Sequence, residues 1–264
     1  MIALFYRKDS DNKMPSSLSV FLQKKALFRP TTLAADASFH FSEPFEEQYF
    51  TTADGERLHS LFFPTRSGRA CGVVLYFHGN RDNLRRWGAM HRDFTPLGYD
   101  FLAPDYRGYG KSTGEPDEQH YYKDALLIYK WLRKKYRPEE IVLYGRSLGT
   151  AMATYLAARA EARMLVLETP FDNIQGLLSS HLRSNEPPFE PAFRFPNDRY
   201  LREARLPVLI FHGTRDRVVP YASAANLKPL LKPGDEFVTI DGGSHNNLGE
   251  YQEYREHLQR WLRQ

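Results

Sequence analysis

The sequence predicts an α/β fold in which a mostly parallel sheet is covered by helices on both faces. Apolar runs such as residues 72–77 and 141–144 alternate with segments of helical periodicity, which is the pattern of a parallel sheet buried on both sides. A serine flanked by glycines, Ser147, stands directly after one apolar run. Polar residues follow several other runs, and in such sheets the functional residues lie at the carboxyl ends of the strands.

Eight segments have the apolar, β-branched or aromatic composition of strands. The first two, residues 45–52 and 58–63, are separated by a turn at residues 53–55. The other six are residues 72–77, 99–104, 141–144, 164–167, 207–211 and 236–240. We therefore expect a sheet of eight strands.

Five segments have the spacing or the composition of helices. The clearest is residues 118–137, in which Tyr122, Leu126 and Tyr129 share one apolar face. The others are residues 85–94, 150–158, 222–231 and 249–263. Their alternation with the predicted strands places a helix after most strands of the sheet.

The composition is that of one soluble globular domain. The chain has 264 residues, of which 42% are hydrophobic and 26% are charged, so it can bury a large core. Its formal charge of +4 comes from lysines and arginines that are scattered rather than interleaved with aromatic residues, which argues against nucleic-acid binding. Cys71 is the single cysteine, so an internal disulfide is excluded and burial as a small hydrophobe is expected.

Residues 1–44 are predicted to be an N-terminal extension, and residues 45–264 the main domain. Residues 18–28 have the pattern of a short amphipathic helix with basic residues nearby. Such a helix can lie on an anionic membrane, and packing against the domain or poor order is the alternative. The extension lacks a secretory signal, and no stretch approaches the roughly 20 apolar residues of a membrane span. We therefore expect a cytoplasmic protein with weak contact, if any, to a membrane surface.

Ser147 is the predicted nucleophile. It lies in residues 145–149, Gly-Arg-Ser-Leu-Gly, where a strand meets a helix. A serine on so sharp a turn presents its hydroxyl at the sheet edge, and the glycines let neighbouring backbones approach closely. Residues 110–114 also read Gly-x-Ser-x-Gly, but no continuous apolar strand leads into them. Ser112 is therefore interpreted as a loop residue, and a phosphate-binding loop is disfavoured because Asp105 stands where that motif needs glycine.

A base and an acid follow other predicted strands. His245 comes after the last strand and Asp216 after the one before it. Because the carboxyl ends of parallel strands meet at one edge of the sheet, we expect Ser147, Asp216 and His245 to lie together. The chain order serine, acid, histidine is typical of one class of catalytic triad. Asp241 and Asp172 are the alternative acids.

These motifs resemble the α/β-hydrolase family from about residue 45 to the C-terminus. The resemblance is carried by residues 78–80, 105–112, 145–149 and 212–216. They are similar to a branch that contains the eukaryotic protein depalmitoylases of the α/β-hydrolase-domain group and many bacterial serine hydrolases of unassigned substrate. The resemblance implies an α/β-hydrolase fold with a short lid insertion. Relatives often begin with a membrane-anchoring helix, for which this chain offers only residues 18–28, so anchoring is not carried over.

The chemistry expected of these residues is nucleophilic. A neutral serine is a weak nucleophile, so His245 should take the proton of the Ser147 hydroxyl as attack begins. Asp216 should accept a hydrogen bond from the other ring nitrogen and stabilise the imidazolium. The resemblance implies that the backbone N–H groups of Asn80 and Leu148 bind the oxyanion. This chemistry requires no metal and no organic cofactor.

By resemblance, residues 169–206 form a short lid over the site. Its aromatic and aliphatic side chains could line an acyl pocket or simply cover the sheet edge. Phe171 and His78 are the candidates for the substrate pocket, and for His78 a structural role beside the oxyanion loop is the alternative. The apolar lid residues are Phe171, Ile174, Leu177, Leu178, Leu182, Phe189, Phe193 and Phe195.

Three other features near the predicted site are interpreted as structural. His212 ends a predicted strand, and Arg146 stands beside the serine. Residues 105–107 are expected to brace loops, with Arg107 paired to a carboxylate.

The sequence therefore predicts a serine hydrolase that cleaves a small acyl ester or acyl thioester through an acyl-enzyme. One alternative is a peptidase similar to aminopeptidases, in which Glu186 or Glu190 of the lid would hold the substrate amine. Others are a cofactor-free haloperoxidase, a carbon–carbon bond hydrolase, or a binding protein that has lost turnover. A small lid favours an open site for a short acyl chain, or for a chain presented on a larger partner.

Overall fold

The fold is one mostly parallel sheet with helices on both faces, which confirms the predicted class. The structure is a computed structural model that describes residues 17–66, 68–182 and 191–263. The eight strands of the sheet are β1 (Glu46–Thr51), β2 (Arg57–Phe63), β3 (Gly72–Phe77), β4 (Tyr99–Pro104), β5 (Ile141–Arg146), β6 (Met164–Glu168), β7 (Val208–Gly213) and β8 (Glu236–Ile240). They lie side by side in the order β8-β7-β6-β5-β3-β4-β2-β1. β2 is antiparallel to both of its neighbours, and the other pairs are parallel.

Helices connect the strands and cover the sheet. They are α1 (Ser17–Leu27), α2 (Leu84–Trp87), α3 (Glu118–Leu132), α4 (Gly149–Ala157), α5 (Ile174–Leu182), α6 (Asn197–Glu203), α7 (Tyr221–Ala225) and α8 (Gln252–Arg263). Short 3₁₀ turns occupy Gly88–Asp93, Thr95–Leu97, Pro138–Glu140, Lys228–Leu230 and Leu248–Glu250. Within the described ranges, no helix is both long enough and apolar enough to cross a membrane.

Alternate residues of the central strands supply two cores, one on each face of the sheet. In β3, Val73, Leu75 and Phe77 belong to the core that α3, α4 and α6 cover. Val74 and Tyr76 belong to the core that α2 and α8 cover. Because successive side chains of a strand point to opposite faces, a strand that is covered on both sides must be apolar throughout.

Three predicted helices are shorter or divided. α3 ends at Leu132, before its predicted end. The helix predicted over residues 85–94 divides at Gly88, a residue of low helix propensity, into α2 and a 3₁₀ turn. The helix predicted over residues 222–231 divides because Pro229 has no backbone N–H to donate, and a 3₁₀ turn follows α7.

The prediction that Cys71 is buried is wrong, because this cysteine is exposed. It stands just before β3, where its backbone N–H donates to the carbonyl oxygen of Gly98 at 2.8 Å. Burial begins only with Gly72–Phe77, every residue of which is buried. Cys71 therefore lies at the surface end of the strand and not in the core.

The predicted lid is described in part. α5 and α6 lie towards its two ends, and Phe193 and Phe195 between them are buried. Glu186, Phe189 and Glu190, which the sequence places in the lid, lie outside the described residues.

The topology brings four loops to one edge of the sheet. Residues 78–80 follow β3, Ser147 follows β5, Asp216 follows β7 and His245 follows β8. β3, β5, β6, β7 and β8 are all parallel and adjacent in this order, so their carboxyl ends are next to each other. The candidate functional residues therefore lie at this edge of the sheet.

α8 closes the core beneath β7 and β8 through one apolar stripe. Tyr254, Leu258, Trp261 and Leu262 are buried, and their spacing of three or four residues places them on one face of the helix. The end of the helix is also held by the Tyr99 hydroxyl, which donates to the Leu262 carbonyl oxygen at 2.7 Å.

Leu258→Ala tests this packing. Removal of the buried side chain leaves a cavity, so we expect the free energy of unfolding in urea to fall by about 2–5 kcal/mol. Glu256→Ala, on the exposed face of the same helix, is the control and should change it by about 0.5 kcal/mol or less. Equal losses in the two variants would contradict the assignment of the buried face.

Candidate active site

Ser147 sits on a tight turn between β5 and α4 and has a left-handed backbone, with φ of +52°. The surrounding backbones are too close for side chains. A Cβ added to Gly149 would lie 2.0 Å from the carbonyl oxygen of Phe77, and one added to Gly145 would lie 2.6 Å from the carbonyl oxygen of Gly149. The Ser147 N–H donates to the Glu168 carbonyl oxygen at 2.9 Å. The turn is therefore fixed between β3, β6 and α4.

The structure brings Ser147, His245 and Asp216 into one hydrogen-bonded chain. His245 Nε2 lies 3.0 Å from Ser147 Oγ, and His245 Nδ1 lies 2.7 Å from Asp216 Oδ2. A carboxylate only accepts hydrogen bonds, so Nδ1 carries the proton and Nε2 is left to accept from the serine hydroxyl. Asp216 is buried, and its Oδ1 accepts the backbone N–H groups of Val218 and Val219 at 2.8 and 2.9 Å.

The two alternative acids are engaged elsewhere. Asp172 accepts hydrogen bonds from the Ser223 hydroxyl at 2.6 Å and from the Asn226 amide at 2.7 Å. Asp241 accepts from the Thr214 hydroxyl at 3.0 Å at the protein surface. Only Asp216, among the three acids that the sequence offers, is hydrogen-bonded to His245.

His212 braces the loop that carries the acid. Its Nε2 lies 2.9 Å from the Val219 carbonyl oxygen and 3.5 Å from Asp216 Oδ2. Burial lowers the pKa of His212, which favours a neutral ring whose Nε2–H donates to Val219. This position agrees with a structural role.

The loop of residues 78–80 lies against the nucleophile. A Cβ added to Gly79 would be 3.7 Å from Ser147 Cβ and 3.4 Å from the Trp87 ring. Neither the N–H of Asn80 nor that of Leu148 donates a hydrogen bond within the described part of the chain. Leu148 directly precedes α4, where helix N–H groups and the helix dipole favour negative charge.

The two candidates for the substrate pocket are both buried. The ring of His78 stacks on Trp87, with its Nδ1 2.7 Å from the Gly79 carbonyl oxygen and its Nε2 3.3 Å from Asp105 Oδ1. Phe171 is packed in the core beside α4 and α6. A role in binding substrate stays a prediction for both residues.

Residues 105–112 hold the same loop from behind. The Tyr106 hydroxyl donates to the His78 carbonyl oxygen at 2.6 Å, and the Tyr109 hydroxyl donates to the Asn80 carbonyl oxygen at 2.9 Å. Arg107 pairs with the carboxylates of Asp54 and Asp124, as the loop-bracing interpretation expects. Ser112, the serine of the second Gly-x-Ser-x-Gly pattern, is buried and donates to the Asp105 carbonyl oxygen at 2.8 Å.

Arg146 ties the nucleophile turn to the histidine loop. Its guanidinium donates to the His245 carbonyl oxygen at 3.0 Å and lies 3.3 Å from Glu168 Oε1. It also stacks over the Trp87 ring at 5.3 Å. The sequence reasoning expected structural contacts for Arg146 but missed Glu168. The signal was available, because Arg146 and Glu168 are opposite charges at the carboxyl ends of strands adjacent in the sheet.

Two cavities have linings that do not include Ser147. One, of about 310 Å³, is lined by residues that include Asp54, Arg107 and His120. The other, of about 10 Å³, is lined by residues that include Phe77 and Tyr106. In the parts of the chain that the structure describes, no three His, Cys, Asp or Glu side chains are grouped as metal ligands.

The eight-stranded sheet and the serine at the strand-to-helix turn define an α/β-hydrolase. A family described as alpha/beta hydrolase fold matches residues 72–193. Human alpha/beta hydrolase domain-containing protein 17B is 32% identical over 222 residues, which cover 81% of this chain and 73% of that protein. The chain therefore belongs to the α/β-hydrolase family, and its resemblance to the α/β-hydrolase-domain group is confirmed.

Two further comparisons agree with this family and fold. The lysophosphatidylserine lipase ABHD12 of Danio rerio is 34% identical over 180 residues, which cover 60% of this chain and 47% of that protein. The esterase Pf2001 of Pyrococcus furiosus superposes with a TM-score of 0.71 at 19% sequence identity, covering 90% of this chain and 97% of the esterase chain. At that identity the superposition shows the shared fold.

Arg146→Lys tests the link between the serine turn and the histidine loop. A lysine keeps the positive charge beside Glu168 but presents one nitrogen in place of a fork, so it cannot hold both partners. We expect kcat/KM for ester hydrolysis to fall about tenfold, which corresponds to about 1.4 kcal/mol.

Arg86→Lys is the matched control, because Arg86 also lies over the Trp87 ring, at 4.7 Å, and pairs with exposed Asp82. It should leave kcat/KM within about twofold, since exposed pairs contribute little. A wild-type kcat/KM in Arg146→Lys would show that Arg146 does not position His245.

Proposed function

We propose that this hydrolase cleaves carboxylic ester or thioester bonds through an acyl-enzyme at Ser147. The observation that carries the proposal is the chain of contacts from Ser147 Oγ to His245 Nε2, at 3.0 Å, and from His245 Nδ1 to Asp216 Oδ2, at 2.7 Å. A serine that is hydrogen-bonded to a base, which an acid orients, is the arrangement that activates a nucleophile.

In the first half-reaction, Ser147 Oγ attacks the acyl carbon while its proton passes to His245 Nε2. The new imidazolium is stabilised by Asp216, whose other oxygen is already held by two backbone N–H groups. As the tetrahedral intermediate collapses, His245 gives its proton to the departing alkoxide or thiolate. Water then attacks the acyl-enzyme with His245 again as base, and Ser147 is regenerated.

The tetrahedral oxyanion requires donors that are in place before the reaction. We assign this role to the backbone N–H groups of Asn80, in the loop packed against Ser147, and of Leu148, the next residue along the chain. Both N–H groups are otherwise without acceptors in the described part of the chain. Removal of one donor of this kind typically costs about 10²–10³-fold in kcat.

An ester or thioester substrate is favoured over a peptide by the relatives. One of them is named for lipase activity on lysophosphatidylserine, and the likeness to the depalmitoylase group extends the class to thioesters. Phe193 and Phe195, which lie between α5 and α6 in the predicted lid, belong to the same buried cluster as Phe171, which gives this segment an apolar character suited to an acyl chain. The peptidase alternative depends on Glu186 and Glu190, which lie outside the described residues.

Ser147→Ala tests the proposed nucleophile. With p-nitrophenyl esters from acetate to palmitate, we expect kcat to fall by about 10⁴-fold or more, since loss of the serine removes the whole acyl-transfer route. Ser112→Ala is the matched control, because Ser112 stands in the second Gly-x-Ser-x-Gly pattern. The kcat of Ser112→Ala, counted per folded molecule, should stay within about tenfold of the wild-type kcat.

The chain-length profile of the same assay measures the acyl pocket, and parallel assays with acyl thioesters and aminoacyl p-nitroanilides compare substrate classes. Equal activity of wild type and Ser147→Ala on the esters would refute the proposal. Faster Ser147-dependent turnover of p-nitroanilides than of esters would instead support the peptidase.

A further inference from the structure

A segment of the N-terminal extension lies directly on residues 78–80, which we call the oxyanion loop. We call residues 27–33 the N-terminal strap; it leaves the end of α1 and passes residues 78–80. The Asn80 side chain donates to the Leu27 carbonyl oxygen at 2.8 Å, and the Arg29 N–H donates to the Asn80 carbonyl oxygen at 3.0 Å. Arg29–Pro30 then pairs as a short parallel strand with Arg81–Asp82.

The strap continues along the loop that holds Asn80 from behind. The Asn83 side chain and the Gly110 N–H both donate to the Thr31 carbonyl oxygen at 3.0 Å. Leu33 N–H donates back to the Gly110 carbonyl oxygen at 2.8 Å. The strap is thus hydrogen-bonded both to the oxyanion loop and to the loop of residues 105–112.

Phe28 anchors the strap in the core. Only 3% of this residue is exposed, and its ring makes edge contacts with Tyr121 at 5.6 Å and with Phe193 of the lid segment at 5.0 Å. Tyr121 packs in turn on Tyr106 at 5.1 Å, whose hydroxyl holds the His78 carbonyl oxygen. The anchor therefore belongs to the same aromatic group that supports the oxyanion loop.

These contacts restrain Asn80 from three directions. Its side-chain amide is held by Leu27, and its carbonyl oxygen is held by both the Arg29 N–H and the Tyr109 hydroxyl. With the side chain and the following peptide fixed, the backbone at Asn80 has little freedom to rotate, and its N–H is held in one orientation. Preorganised donors are effective because they need no rearrangement during the reaction.

We propose that the N-terminal strap positions the oxyanion-binding N–H of Asn80, with Phe28 as its anchor, so that part of the extension belongs to the active site. This inference rests on the proposed function. Phe28 and the strap contact no reacting atom and act only through Asn80; they are positioning residues. The inference requires that loosening the strap weakens the binding of the transition state more than that of the substrate.

The test uses the full chain with Phe28→Ala, which removes the anchor, and Asn80→Ala, which keeps the backbone N–H but removes the contact with Leu27. Phe21→Ala is the matched control, because Phe21 is on α1 but is 49% exposed. Phe28→Leu keeps an apolar anchor and serves as the rescue variant. If Phe28→Ala fails to fold, the kcat of Asn80→Ala alone tests the inference.

Three quantities are measured for each variant with p-nitrophenyl acetate as substrate. They are kcat per active site titrated with a fluorophosphonate, KM, and the inhibition constant of an alkyl trifluoromethyl ketone, which forms a tetrahedral adduct with a serine nucleophile. We expect kcat per site to fall about 10–100-fold in Phe28→Ala and Asn80→Ala, a weaker effect than deletion of a donor. KM should stay within about threefold, and the inhibition constant should rise by the same factor as kcat falls.

Phe21→Ala should match wild type in all three quantities. Phe28→Leu should recover most of the kcat that Phe28→Ala loses. A kcat per titrated site within about twofold of wild type in both Phe28→Ala and Asn80→Ala would overturn the inference, even if their melting temperatures fall, because a purely structural strap would lower stability alone. Failure of the proposed function is recognised separately, since wild type itself would then show no Ser147-dependent hydrolysis, and the inference would fall with it.

Discussion

The close approach of three backbones around Ser147 is the constraint on which the rest of the site depends. α4 begins so near the end of β3 that a single Cβ on Gly149 would overlap the Phe77 carbonyl oxygen. That approach forces the left-handed backbone of Ser147, with φ of +52°, and directs the hydroxyl away from the sheet. The loop of residues 78–80 packs against the same turn, and the proposed function therefore places the oxyanion between this loop and Leu148.

Groups behind the reacting atoms hold the other partners to this turn. Arg146 links the turn to the carbonyl oxygen of His245 and is itself held by Glu168. Asp216 is fixed by the backbone of its own loop. On the opposite side, Tyr109 and the N-terminal strap restrain Asn80. Arg146, Asp216 and Tyr109 are buried, where hydrogen bonds are electrostatically stronger than in water.

Much of this arrangement could be predicted from sequence because its signals are local. Uninterrupted apolar runs identified the strands, and polar residues after β5, β7 and β8 identified Ser147, Asp216 and His245. Helix ends were less accurate, since Gly88 and Pro229 divide helices whose periodicity continues past them. The strap was missed because its partner is remote in sequence, and nothing local indicates that Leu27 contacts Asn80. Glu168 was missed although its charge at the end of β6, beside Arg146 at the end of β5, indicates the pair.

The most direct test of the account is to find the acyl group on the protein. An ester whose acyl-enzyme is hydrolysed slowly would be mixed with the protein, and the reaction would be quenched in acid within milliseconds. The protein would then be digested, and its peptides would be analysed by mass spectrometry. The proposed acyl-enzyme predicts the added acyl mass on the peptide that contains Ser147, accumulating before steady state and disappearing as substrate is consumed. Acylation confined to another residue, such as Ser112, or product release with no acylated peptide at any time, would contradict it.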